Sequence, residues 1–369
     1  MDFNQLNLKN ELMQSINNLG YKTPTKVQKQ AIPLVMTGKD IIAKSYTGSG
    51  KTAAFVLPIL QQLNVNFKQV QTLIVCPTRE LGYQILTQIK KYSSHLKGAS
   101  ATLLCGGSNI QKQIYSLKYS NIVVGTPGRL VDHLKRKTLK LKYLKTIVLD
   151  EADEMLKMGF KQEIDNIFSN IRSEEYQTLL FSATMNSQVL EIARNYQKSP
   201  ERISIERSFE DLNNIEQYYF DARKLGKGQA LISLFKKFNP KLSIVFSNTK
   251  VYTEKISQLL ASNGIKSLVI NGDKKQSERF KVMELFRLNK VSVLIATDVL
   301  ARGIDVDGID YVFNYDLPLQ NESYIHRIGR TGRKNLKGQA ITLVNSKKEL
   351  LNLKHLEKVV KTKINNLYL

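Results

Sequence analysis

The stretch Thr146–Leu156, TIVLDEADEML, changes character halfway along its length. Its first residues, Thr146–Leu149, are apolar and partly β-branched, a pattern that predicts a short buried strand. Three of the next four residues are acidic, namely Asp150, Glu151 and Asp153. Taken alone, such a cluster is typical of a solvated turn or of the first turn of a helix, where the helix dipole favours negative charge. The rest of the sequence must decide between that ordinary explanation and a functional one.

Composition indicates a globular chain with an excess of positive charge. The chain has 369 residues, of which 42% are hydrophobic, which is enough for two domains with a core each. Lysine and arginine number 55 against 32 aspartates and glutamates, so the formal net charge is +23. Such an excess favours a polyanionic partner such as nucleic acid. A lysine-rich proteome encoded by an AT-rich genome would produce the same excess, so charge alone does not identify the partner.

Several classes of protein are disfavoured. The sequence has only two cysteines, Cys76 and Cys105, with no CxxC pair and no histidine cluster, so it predicts neither a disulfide framework nor a zinc site. The start, MDFNQLNLKNELM, lacks a signal-peptide pattern, and no apolar run approaches the roughly 18 residues that a membrane span needs. We therefore expect a cytoplasmic protein without a membrane segment.

Short apolar segments alternate with helical segments along the chain, which predicts an α/β fold. The apolar segments are DIIAKS, TLIVCP, ATLLCG, NIVVGTP, TIVLDE and QTLLFSAT in the first half, and LSIVFSNT, SLVING, VSVLIATD, YVFNYDLP and AITLVNS in the second. Each ends in Gly, Ser, Thr, Pro or an acid, as buried parallel strands do where they enter a functional loop. We predict two domains, 1–207 and 215–369, joined by a hinge at 208–214.

The segment AKSYTGSGKT, residues 43–52, follows one of these strands and precedes a plausible helix. Glycines at such a junction let backbone N–H groups turn toward phosphate oxygens. Lys51, expected on a surface loop, would reach the β and γ phosphates, and the Thr52 hydroxyl would bind Mg²⁺. Ser45 replaces the first glycine of the generic phosphate-loop pattern. The alternative explanation is a glycine-rich turn without a ligand.

The acidic cluster gains a function if it lies near this loop. A strand that ends in Asp150 and Glu151, beside the phosphate-loop strand in a parallel sheet, would supply one carboxylate that holds Mg²⁺ through water. The neighbouring carboxylate would orient the attacking water. We therefore predict that the two strands are adjacent and that the acidic cluster faces a metal ion and a triphosphate.

The chain as a whole resembles the DEAD-box RNA helicases. The motifs that carry the resemblance are DEAD at Asp150–Asp153, AKSYTGSGKT, PTREL at Pro77–Leu81, TPGR at Thr126–Arg129, SAT at Ser182–Thr184, ATDVLARGID at Ala296–Asp305 and HRIGRTGR at His326–Arg333. The resemblance implies two tandem RecA-like domains, each a mostly parallel sheet with helices on both faces, with ATP in the cleft and RNA across the top. DEADEMLKMGF and YDLPLQNESYIHR are similar to the bacterial DbpA-like subgroup. That subgroup usually carries a C-terminal RNA-recognition domain, so this chain is expected to be a minimal core or a shortened form.

The resemblance implies an ATP and Mg²⁺ site. It assigns adenine recognition to Tyr21 and to Gln28, whose amide can both donate to and accept from the adenine edge. Phe3 matches the family's isolated upstream aromatic residue, with a packing role in the N-terminal helix as the alternative. The further ATP-binding positions that the resemblance implies are Thr47, Gly48, Ser49, Gly50, Lys51, Thr52 and Asp305, the last as a ribose contact. Thr52 and Asp150 would hold Mg²⁺, partly through water.

The resemblance also implies the catalytic set, which is Lys51, Asp150, Glu151, Ser182, Thr184, Arg327 and Arg330. Ser182 and Thr184 match the motif that couples hydrolysis to domain closure, although an ordinary pair of hydroxyls at a strand end is the alternative. Arg327 and Arg330 match arginines that enter the cleft when the domains close. Three residues apart on a helix or tight turn, they would share a face, and a planar guanidinium suits charge spread over phosphate oxygens.

The expected partner is RNA, single-stranded or in short duplexes, with ribosomal RNA as one candidate. The RNA contacts implied by the resemblance are Arg79, Gly106, Gly107, Thr126, Arg129, Gly272, Arg279, Thr297 and Asp298. Glycines and threonines let amides and hydroxyls approach phosphates, which fixes position without reading sequence. The 2′-OH would let such a surface prefer RNA over DNA. The basic run HLKRKTLKLKYLK, residues 133–145, matches no family motif and is expected to be a solvated face.

Four residues depart from the family pattern, namely Tyr46, Gly82, Asn271 and Leu300. None of them removes a catalytic group.

The segment LLNLKHLEKVVKTKI near the end predicts a packed helix, with a membrane-surface helix as the alternative. We expect an RNA-dependent ATPase that clamps, bends and locally unwinds short duplexes. An ATP-gated RNA-binding scaffold with little unwinding is the alternative, a DNA translocase is disfavoured, and the oligomeric state is left open.

Overall fold

The computed structural model describes residues 2–46, 48–205, 214–274, 276–298, 306, 308–332, 336–360 and 362–368. The chain divides into two compact units, Met1–Arg207 and Ser208–Leu369. The predicted hinge, 208–214, lies outside the described residues except for Asn214. Each unit contains a parallel sheet with helices on both faces, as predicted.

Within the described residues, the sheet of the first unit has seven strands in the spatial order β3-β4-β2-β5-β6-β1-β7. The strands are β1 (Ile41–Ser45), β2 (Thr72–Val75), β3 (Ala101–Leu104), β4 (Ile122–Gly125), β5 (Thr146–Leu149), β6 (Gln177–Ser182) and β7 (Glu201–Ile205). The α-helices are α1 (Asn10–Asn18), α2 (Lys26–Met36), α3 (Lys51–Gln62), α4 (Arg79–Tyr92), α5 (Ile110–Leu117), α6 (Pro127–Lys135), α7 (Ala152–Lys157), α8 (Lys161–Ser169) and α9 (Ser187–Tyr196). A short 3-10 turn, Asn4–Leu6, precedes α1.

Alternate residues of each central strand enter different hydrophobic cores, because successive side chains of a strand point to opposite faces. Ile74 and Leu179 join the core on the face that contains α1 to α4. Leu73 and Leu180 join the core on the face that contains α6 to α9. All four side chains are fully buried. The sheet is therefore covered on both faces, and only its edges and the ends of its strands are open to ligands.

The order of the strands corrects one prediction. β5, which ends just before the acidic cluster, is not adjacent to the phosphate-loop strand β1, because β6 lies between them. In the parallel register, Ala43 of β1 pairs with Phe181 of β6, and Leu149 of β5 pairs with Leu180 of β6. Two motifs that share a ligand need only lie at the same edge of the sheet, so their shared chemistry does not identify strand neighbours. The insertion of β6 places Ser182 between the two motifs.

The second unit also has, within its described residues, a seven-stranded parallel sheet, in the order β10-β11-β9-β12-β13-β8-β14. The strands are β8 (Ile215–Asp221), β9 (Ser243–Phe246), β10 (Ser267–Ile270), β11 (Val293–Ala296), β12 (Tyr311–Asn314), β13 (Gly338–Val344) and β14 (Asn365–Asn366). The described α-helices of this unit are α10 (Lys227–Phe238), α11 (Lys250–Ala261), α12 (Gln276–Arg287), α13 (Asn321–Ile328) and α14 (Lys347–Val360).

The helix near the end of the chain is packed, as predicted. Leu353 and Leu356 of α14 are buried in the core of the second unit. None of the helices among the described residues combines the length and the apolar character that crossing a membrane requires. At the other end of the chain, Phe3 is buried in the core of the first unit. This burial supports the packing alternative for Phe3.

Asp40 provides a stability test of the first unit. Its buried carboxylate accepts hydrogen bonds from the backbone N–H of Thr178, at 2.7 Å, and of Lys198, at 2.6 Å. It therefore ties the start of β1 to the start of β6 and to the segment before β7. We expect Asp40→Ala to lower the free energy of unfolding by about 1 to 3 kcal/mol for each amide left without an acceptor. Denaturant unfolding followed by circular dichroism measures the loss.

Lys39→Ala is the matched control for this substitution. Lys39 forms an exposed ion pair with Glu201, at 2.6 Å, and such pairs contribute less than about 1 kcal/mol. Equal loss of stability in the two variants would contradict the role given to the Asp40 carboxylate.

Candidate active site

The phosphate-loop segment connects β1 to α3 and has the backbone geometry that its glycines predict. Gly48 and Gly50 have φ values of 86° and 95°, in the left-handed region that glycine adopts without strain. Lys51 is the first residue of α3, and its Nζ donates a hydrogen bond to the backbone oxygen of Ser45 at 3.1 Å. Thr52 occupies the first turn of α3, whereas Thr47 lies outside the described residues.

Lys51 is buried, with only 7% of its surface exposed, so the expectation of a surface-loop cation is wrong. The aliphatic stem enters the protein because α3 packs into the core directly after the loop. Two hydroxyl oxygens of the same segment, Ser45 Oγ and Ser49 Oγ, are buried and have no hydrogen-bond partner among the described residues. Buried polar groups of this kind are normally satisfied, so these oxygens indicate a place where a polar ligand fits.

Gln28 joins the start of α2 to the phosphate loop. Its side-chain oxygen accepts from the backbone N–H of Thr25 at 3.0 Å, and its Nε2 donates to the backbone oxygen of Gly50 at 3.1 Å. A Cβ atom at Gly50 would lie 2.5 Å from Gln28 Nε2, so only glycine permits this approach. Sequence reasoning missed the hydrogen bond from Gln28 to Gly50. The capping-box spacing of Thr25 and Gln28 did contain a signal for the bond between those two residues.

The other predicted adenine contact, Tyr21, is partly exposed, with its ring 6.2 Å from that of Tyr92.

The second residue of the acidic cluster has a strained backbone. Glu151 has φ 51° and ψ 50°, a left-handed conformation that is uncommon outside glycine, and it directly precedes α7. Strain of this kind is found disproportionately at functional sites. Asp150 is buried, and its Oδ1 accepts from the backbone N–H of Glu151 at 3.0 Å. Burial raises the pKa of Asp150, while Lys51 nearby opposes the rise by favouring the ionised carboxylate.

Asp153 holds the loop that follows β6. Its Oδ2 accepts two hydrogen bonds from Thr184, one from the backbone N–H at 3.1 Å and one from Oγ1 at 3.0 Å. Ser182 Oγ donates to the backbone oxygen of Thr184 at 2.7 Å. The serine and threonine thus form one turn attached to the acidic helix α7. Sequence reasoning placed Ser182 and Thr184 in the site but gave Asp153 no role, because a side-chain contact between distant segments leaves no pattern in the sequence.

The residues present suit Mg²⁺ bound mainly through a substrate. Mg²⁺ commonly uses one or two carboxylates together with water and substrate phosphates, rather than a cage made of protein ligands alone. The described residues contain no group of three or more histidine, cysteine or acidic side chains arranged to hold a metal ion. Asp150 offers a buried carboxylate and Thr52 a hydroxyl at the neighbouring helix start. This small set of oxygen donors fits the expected ion.

Five predicted RNA contacts lie together at the carboxyl ends of β2, β3 and β4. Arg79 begins α4, and its guanidinium packs closely on Gly106 and Gly107. A Cβ atom added at Gly106 would lie 2.8 Å from Arg79 Nη2. A Cβ atom added at Gly107 would lie closer still to Arg79 Nη1. Thr126 precedes α6. Arg129 Nη1 donates to the oxygen of Ser108 at 3.2 Å and to the side chain of Gln113 at 3.1 Å. The edge of the sheet therefore presents arginines on glycine backbone, a suitable surface for phosphates.

One departure from the family pattern in this region has a packing explanation. A Cβ atom at Gly82 would lie 2.7 Å from Leu103 Cδ1 and 3.2 Å from Cys76 Sγ. The neighbouring side chains thus fill the space that an alanine would need. Tyr46, a second departure, packs partly buried against the core of the first unit.

In the second unit, the predicted contacts Gly272 and Arg279 are joined by a hydrogen bond from Arg279 Nη2 to the oxygen of Gly272, at 3.0 Å. The departing residue Asn271 is buried, and its Nδ2 donates to Thr253 Oγ1 at 3.0 Å while its Oδ1 accepts from the backbone N–H of Asp273 at 3.1 Å. Asn271 therefore stabilises the turn from within. The predicted ribose contact, Asp305, and the last of the four departing residues, Leu300, lie outside the described residues.

Arg327 is buried in a network inside the second unit. Its Nε and Nη2 donate to the two carboxylate oxygens of Asp298, at 2.5 and 2.9 Å. Its remaining bonds go to the backbone oxygen of Asp316 at 2.6 Å and to Asn248 Oδ1 at 2.7 Å. Thr297 directly precedes Asp298 at the carboxyl end of β11. The predicted RNA contact Asp298 and the predicted phosphate contact Arg327 are thus paired with each other, which the sequence did not indicate.

Arg330 lies just beyond α13, and its Nε donates to the backbone oxygen of His326 at 3.1 Å. It is buried, like Arg327. Arg327 lies within α13 and Arg330 beyond the residue that ends it. The structure thus places both in one short segment, and their contact with phosphate stays a prediction.

Comparisons with known proteins agree with this geometry. Residues 25–192 match the family model DEAD/DEAH box helicase, and residues 226–335 match the model Helicase conserved C-terminal domain. The chain is 39% identical to the DEAD-box ATP-dependent RNA helicase CshA of Bacillus subtilis, over 99% of this chain and 74% of that protein. It is 42% identical to the ATP-dependent RNA helicase CshA of Listeria monocytogenes, over 98% of this chain and 69% of that protein.

Solved structures show the same similarity. The S. cerevisiae protein Dbp5 bound to RNA and ADP BeF3 matches with a TM-score of 0.89 and 31% identity, over 99% of this chain and 95% of that chain. Mss116p bound to ssRNA and AMP-PNP matches with a TM-score of 0.86 and 27% identity, over 100% of this chain and 78% of that chain. The relatives from Bacillus subtilis and Listeria monocytogenes bear the CshA name, so the finer resemblance to the DbpA-like subgroup stays a prediction. At this level of identity and coverage, the chain belongs to the DEAD-box ATP-dependent RNA helicases.

Proposed function

We propose that the chain hydrolyses ATP at the carboxyl ends of β1, β6 and β5 and uses the reaction to clamp and release RNA. The observation that carries the proposal is the convergence of three loops at neighbouring strand ends. These loops hold Lys51, the turn formed by Ser182 and Thr184, and the acidic pair Asp150 and Glu151. In this proposal the domains are 1–207 and 215–369, joined by a hinge at 208–214.

The phosphate loop binds the triphosphate of ATP. The Lys51 ammonium, which rests on the oxygen of Ser45, exchanges that carbonyl for a phosphate oxygen when the nucleotide arrives. Backbone N–H groups at the start of α3 and the helix dipole add positive potential at the same place. Mg²⁺, held by Thr52 and through water by Asp150, would neutralise charge on the phosphates. The hydroxyls Ser45 Oγ and Ser49 Oγ, which have no partner among the described residues, support this placement.

Glu151 orients and deprotonates the attacking water. Its left-handed backbone turns the chain sharply at the end of β5, where the phosphates are expected. Asp153 couples movements of the acidic cluster to the loop after β6, because its carboxylate accepts hydrogen bonds from the N–H and the hydroxyl of Thr184. A shift of α7 during hydrolysis would therefore move the Ser182 turn.

The second unit completes the site when the two domains close. Arg330 is the arginine that we assign to the γ phosphate. Arg327 contributes as a positioning residue, because its guanidinium already holds Asp298, Asn248 and the backbone of Asp316. Asp305 contacts the ribose in this proposal.

RNA binds through its backbone, at Arg79 and its neighbours in the first unit and at Gly272 and its neighbours in the second. Closure bends the strand, which an A-form duplex cannot follow, so a few base pairs open. A scaffold that binds RNA under control of ATP without unwinding uses the same contacts. A strand-separation assay beside a filter-binding assay distinguishes the two, since only a helicase separates strands faster with ATP.

Cys76 and Cys105 are both free and buried, which suits the cytoplasmic location that we propose.

Replacing Lys51 tests the phosphate loop. We expect Lys51→Ala to lower ATP turnover by about a hundredfold or more, because one preorganised donor to the developing charge is removed. The fold should persist, as judged by circular dichroism, because alanine suits the start of α3 and the substitution removes one side-chain hydrogen bond among the described residues. Normal turnover in the variant would contradict the assignment of the loop. Lys39→Ala, which removes an exposed lysine before β1, serves as the control.

Gln28→Glu separates two roles of this side chain. The glutamate keeps an acceptor for the N–H of Thr25 but removes the donor that serves the oxygen of Gly50 or the edge of adenine. Wild-type protein should hydrolyse GTP poorly in the presence of RNA. If Gln28 reads adenine, the variant should lose ATP hydrolysis selectively and narrow the preference for ATP. If Gln28 only supports the phosphate loop, hydrolysis of both nucleotides should fall in parallel, which would contradict the adenine assignment.

The two carboxylates should behave differently when neutralised. Glu151→Gln keeps the Mg²⁺ site but removes the general base, a role worth roughly 10² to 10⁴ in rate. This variant should still close on RNA in ATP and should release RNA more slowly than wild type. Asp150→Asn should weaken Mg²⁺-dependent nucleotide binding and fail to trap RNA.

The RNA dissociation rate of each variant with ATP and Mg²⁺ provides the measurement. Glu174→Gln, which neutralises an exposed carboxylate before β6, should release RNA like the wild type. The role assigned to Glu151 fails if Glu151→Gln releases RNA as fast as that control.

A further inference from the structure

The loop between α6 and β5 carries positive charge that the proposed active site does not use. We call residues 136–145 the basic loop. It contains no acidic residue, and its five basic residues are Arg136, Lys137, Lys140, Lys142 and Lys145. Arg136 is committed to an ion pair with Asp132 at 2.7 Å, whereas no ion pair is found for the three lysines nearest β5 among the described residues.

Buried leucines hold the basic loop in place. Leu139, Leu141 and Leu144 are buried in the core of the first unit, and the lysines between and beside them are exposed. The chain therefore alternates between anchors and exposed cations. Because the anchors are fixed in a packed core, Lys140 and Lys142 are presented from an ordered backbone, which lowers the entropic cost of engaging a ligand.

Two aromatic side chains are exposed beside these lysines. The rings of Phe67 and Tyr143 meet edge to face, with centroids 5.1 Å apart, and remain 36% and 45% exposed. Lys142 Nζ lies 5.5 Å from the centre of the Tyr143 ring. The two segments are joined through Gln71, whose backbone oxygen accepts from the N–H of Lys145 at 2.8 Å and whose Nε2 donates to the oxygen of Phe67 at 3.1 Å.

This surface is separate from the active site. The basic loop enters β5 at its amino end, and the acidic pair beginning at Asp150 leaves β5 at its carboxyl end. A strand rises about 3.3 Å per residue, so a strand of four residues separates the two places by about 13 Å. Groups at the amino edge of the sheet cannot reach a phosphate held at the carboxyl edge.

We propose that the basic loop, together with Phe67 and Tyr143, is a second contact for RNA, specific for single-stranded segments. Lys140 and Lys142 pair with phosphates, and an unpaired base stacks on the exposed aromatic pair. Rows of cations beside exposed aromatic rings are the usual means of binding single strands without reading sequence. The inference rests on the proposed function in one respect, that RNA is the nucleic acid this chain binds.

Alternative ligands fit the surface less well. A protein partner would have to be strongly acidic and also cover two rings, whereas a nucleotide chain provides a phosphate and a flat base in each repeat. A cavity of about 720 Å³ adjoins the loop at Lys145, but its lining also includes Glu175 and Glu201. Because these carboxylates balance the lysines there, we assign no phosphate to the cavity. The proposed RNA-binding surface is confined to the exposed row of lysines and the two rings.

Charge removal gives the first test. The probe is a long homopolymeric single-stranded RNA without nucleotide, and its affinity is measured by filter binding over a range of salt concentrations. Lys140→Ala combined with Lys142→Ala should reduce the slope of log affinity against log salt by about 1.4, at about 0.7 for each phosphate that is no longer neutralised. The matched control is Lys347→Ala combined with Lys348→Ala, which removes the same charge from exposed positions of the second unit.

Aromatic substitution gives the second test. Tyr143→Ala should weaken binding of the same RNA roughly tenfold, which is near the lower end of what stacking on one ring contributes. Tyr143→Phe should restore binding, because a ring of the same shape remains. Circular dichroism of both variants reports whether the loop substitution disturbs the fold.

The outcomes separate this inference from the proposed function. Weaker RNA binding in both loop variants, with control binding and saturated RNA-stimulated ATP hydrolysis unchanged, supports the second contact. If the control pair lowers the salt slope equally, or if Tyr143→Ala binds like the wild type, the second contact is rejected. Absence of RNA-stimulated hydrolysis in the wild type would overturn the proposed function alone, since direct binding still tests the loop.

Discussion

The chemistry of the first unit depends on one constraint, the parallel pairing of β1, β6 and β5. Parallel strands point in one direction, so the loops that leave their carboxyl ends are forced to lie side by side. These loops carry Lys51, Thr184 and Asp150. If β5 ran in the opposite direction, its acidic end would move by the length of the strand, about 13 Å for four residues, to the edge of the sheet opposite Lys51. The direction of the strands alone therefore brings Lys51, Thr184 and Asp150 to one edge of the sheet, whether or not their side chains touch.

Buried charge explains why this edge of the sheet favours a cation. Burial disfavours an ionised carboxylate unless donors or opposite charges compensate it. Asp153 is compensated at one oxygen, which accepts two hydrogen bonds from Thr184. Asp150 has one backbone donor and the field of Lys51, yet burial still raises its pKa. A divalent cation would stabilise the ionised form of Asp150 against this effect of burial.

Much of the fold could be predicted from the sequence, because central strands buried on both faces are continuously apolar. All eleven predicted strands are present. The three missed strands, β7, β8 and β14, lie at or next to the end of the strand order in their sheets. Polar and apolar residues alternate in β7 and in the first part of β8, and β14 is only two residues long. The site was predictable where a local motif encodes a backbone shape, as in the phosphate loop. It was not predictable where segments distant in sequence meet, which is why the position of β6 and the bond between Asp153 and Thr184 were missed.

The same reasoning about compensation distinguishes the two arginines of the second unit. A guanidinium has five N–H donors, and four hydrogen bonds of Arg327 are already made to Asp298, Asn248 and Asp316. To reach a phosphate, Arg327 would have to leave Asp298, whose partly buried carboxylate would then lose its guanidinium partner. An ATP-driven closure that required this step would lose much of the energy gained from the new phosphate interaction. The network is better suited to fixing the loop that carries Asp298 in place, which favours the proposal that assigns the phosphate contact to Arg330 rather than to Arg327.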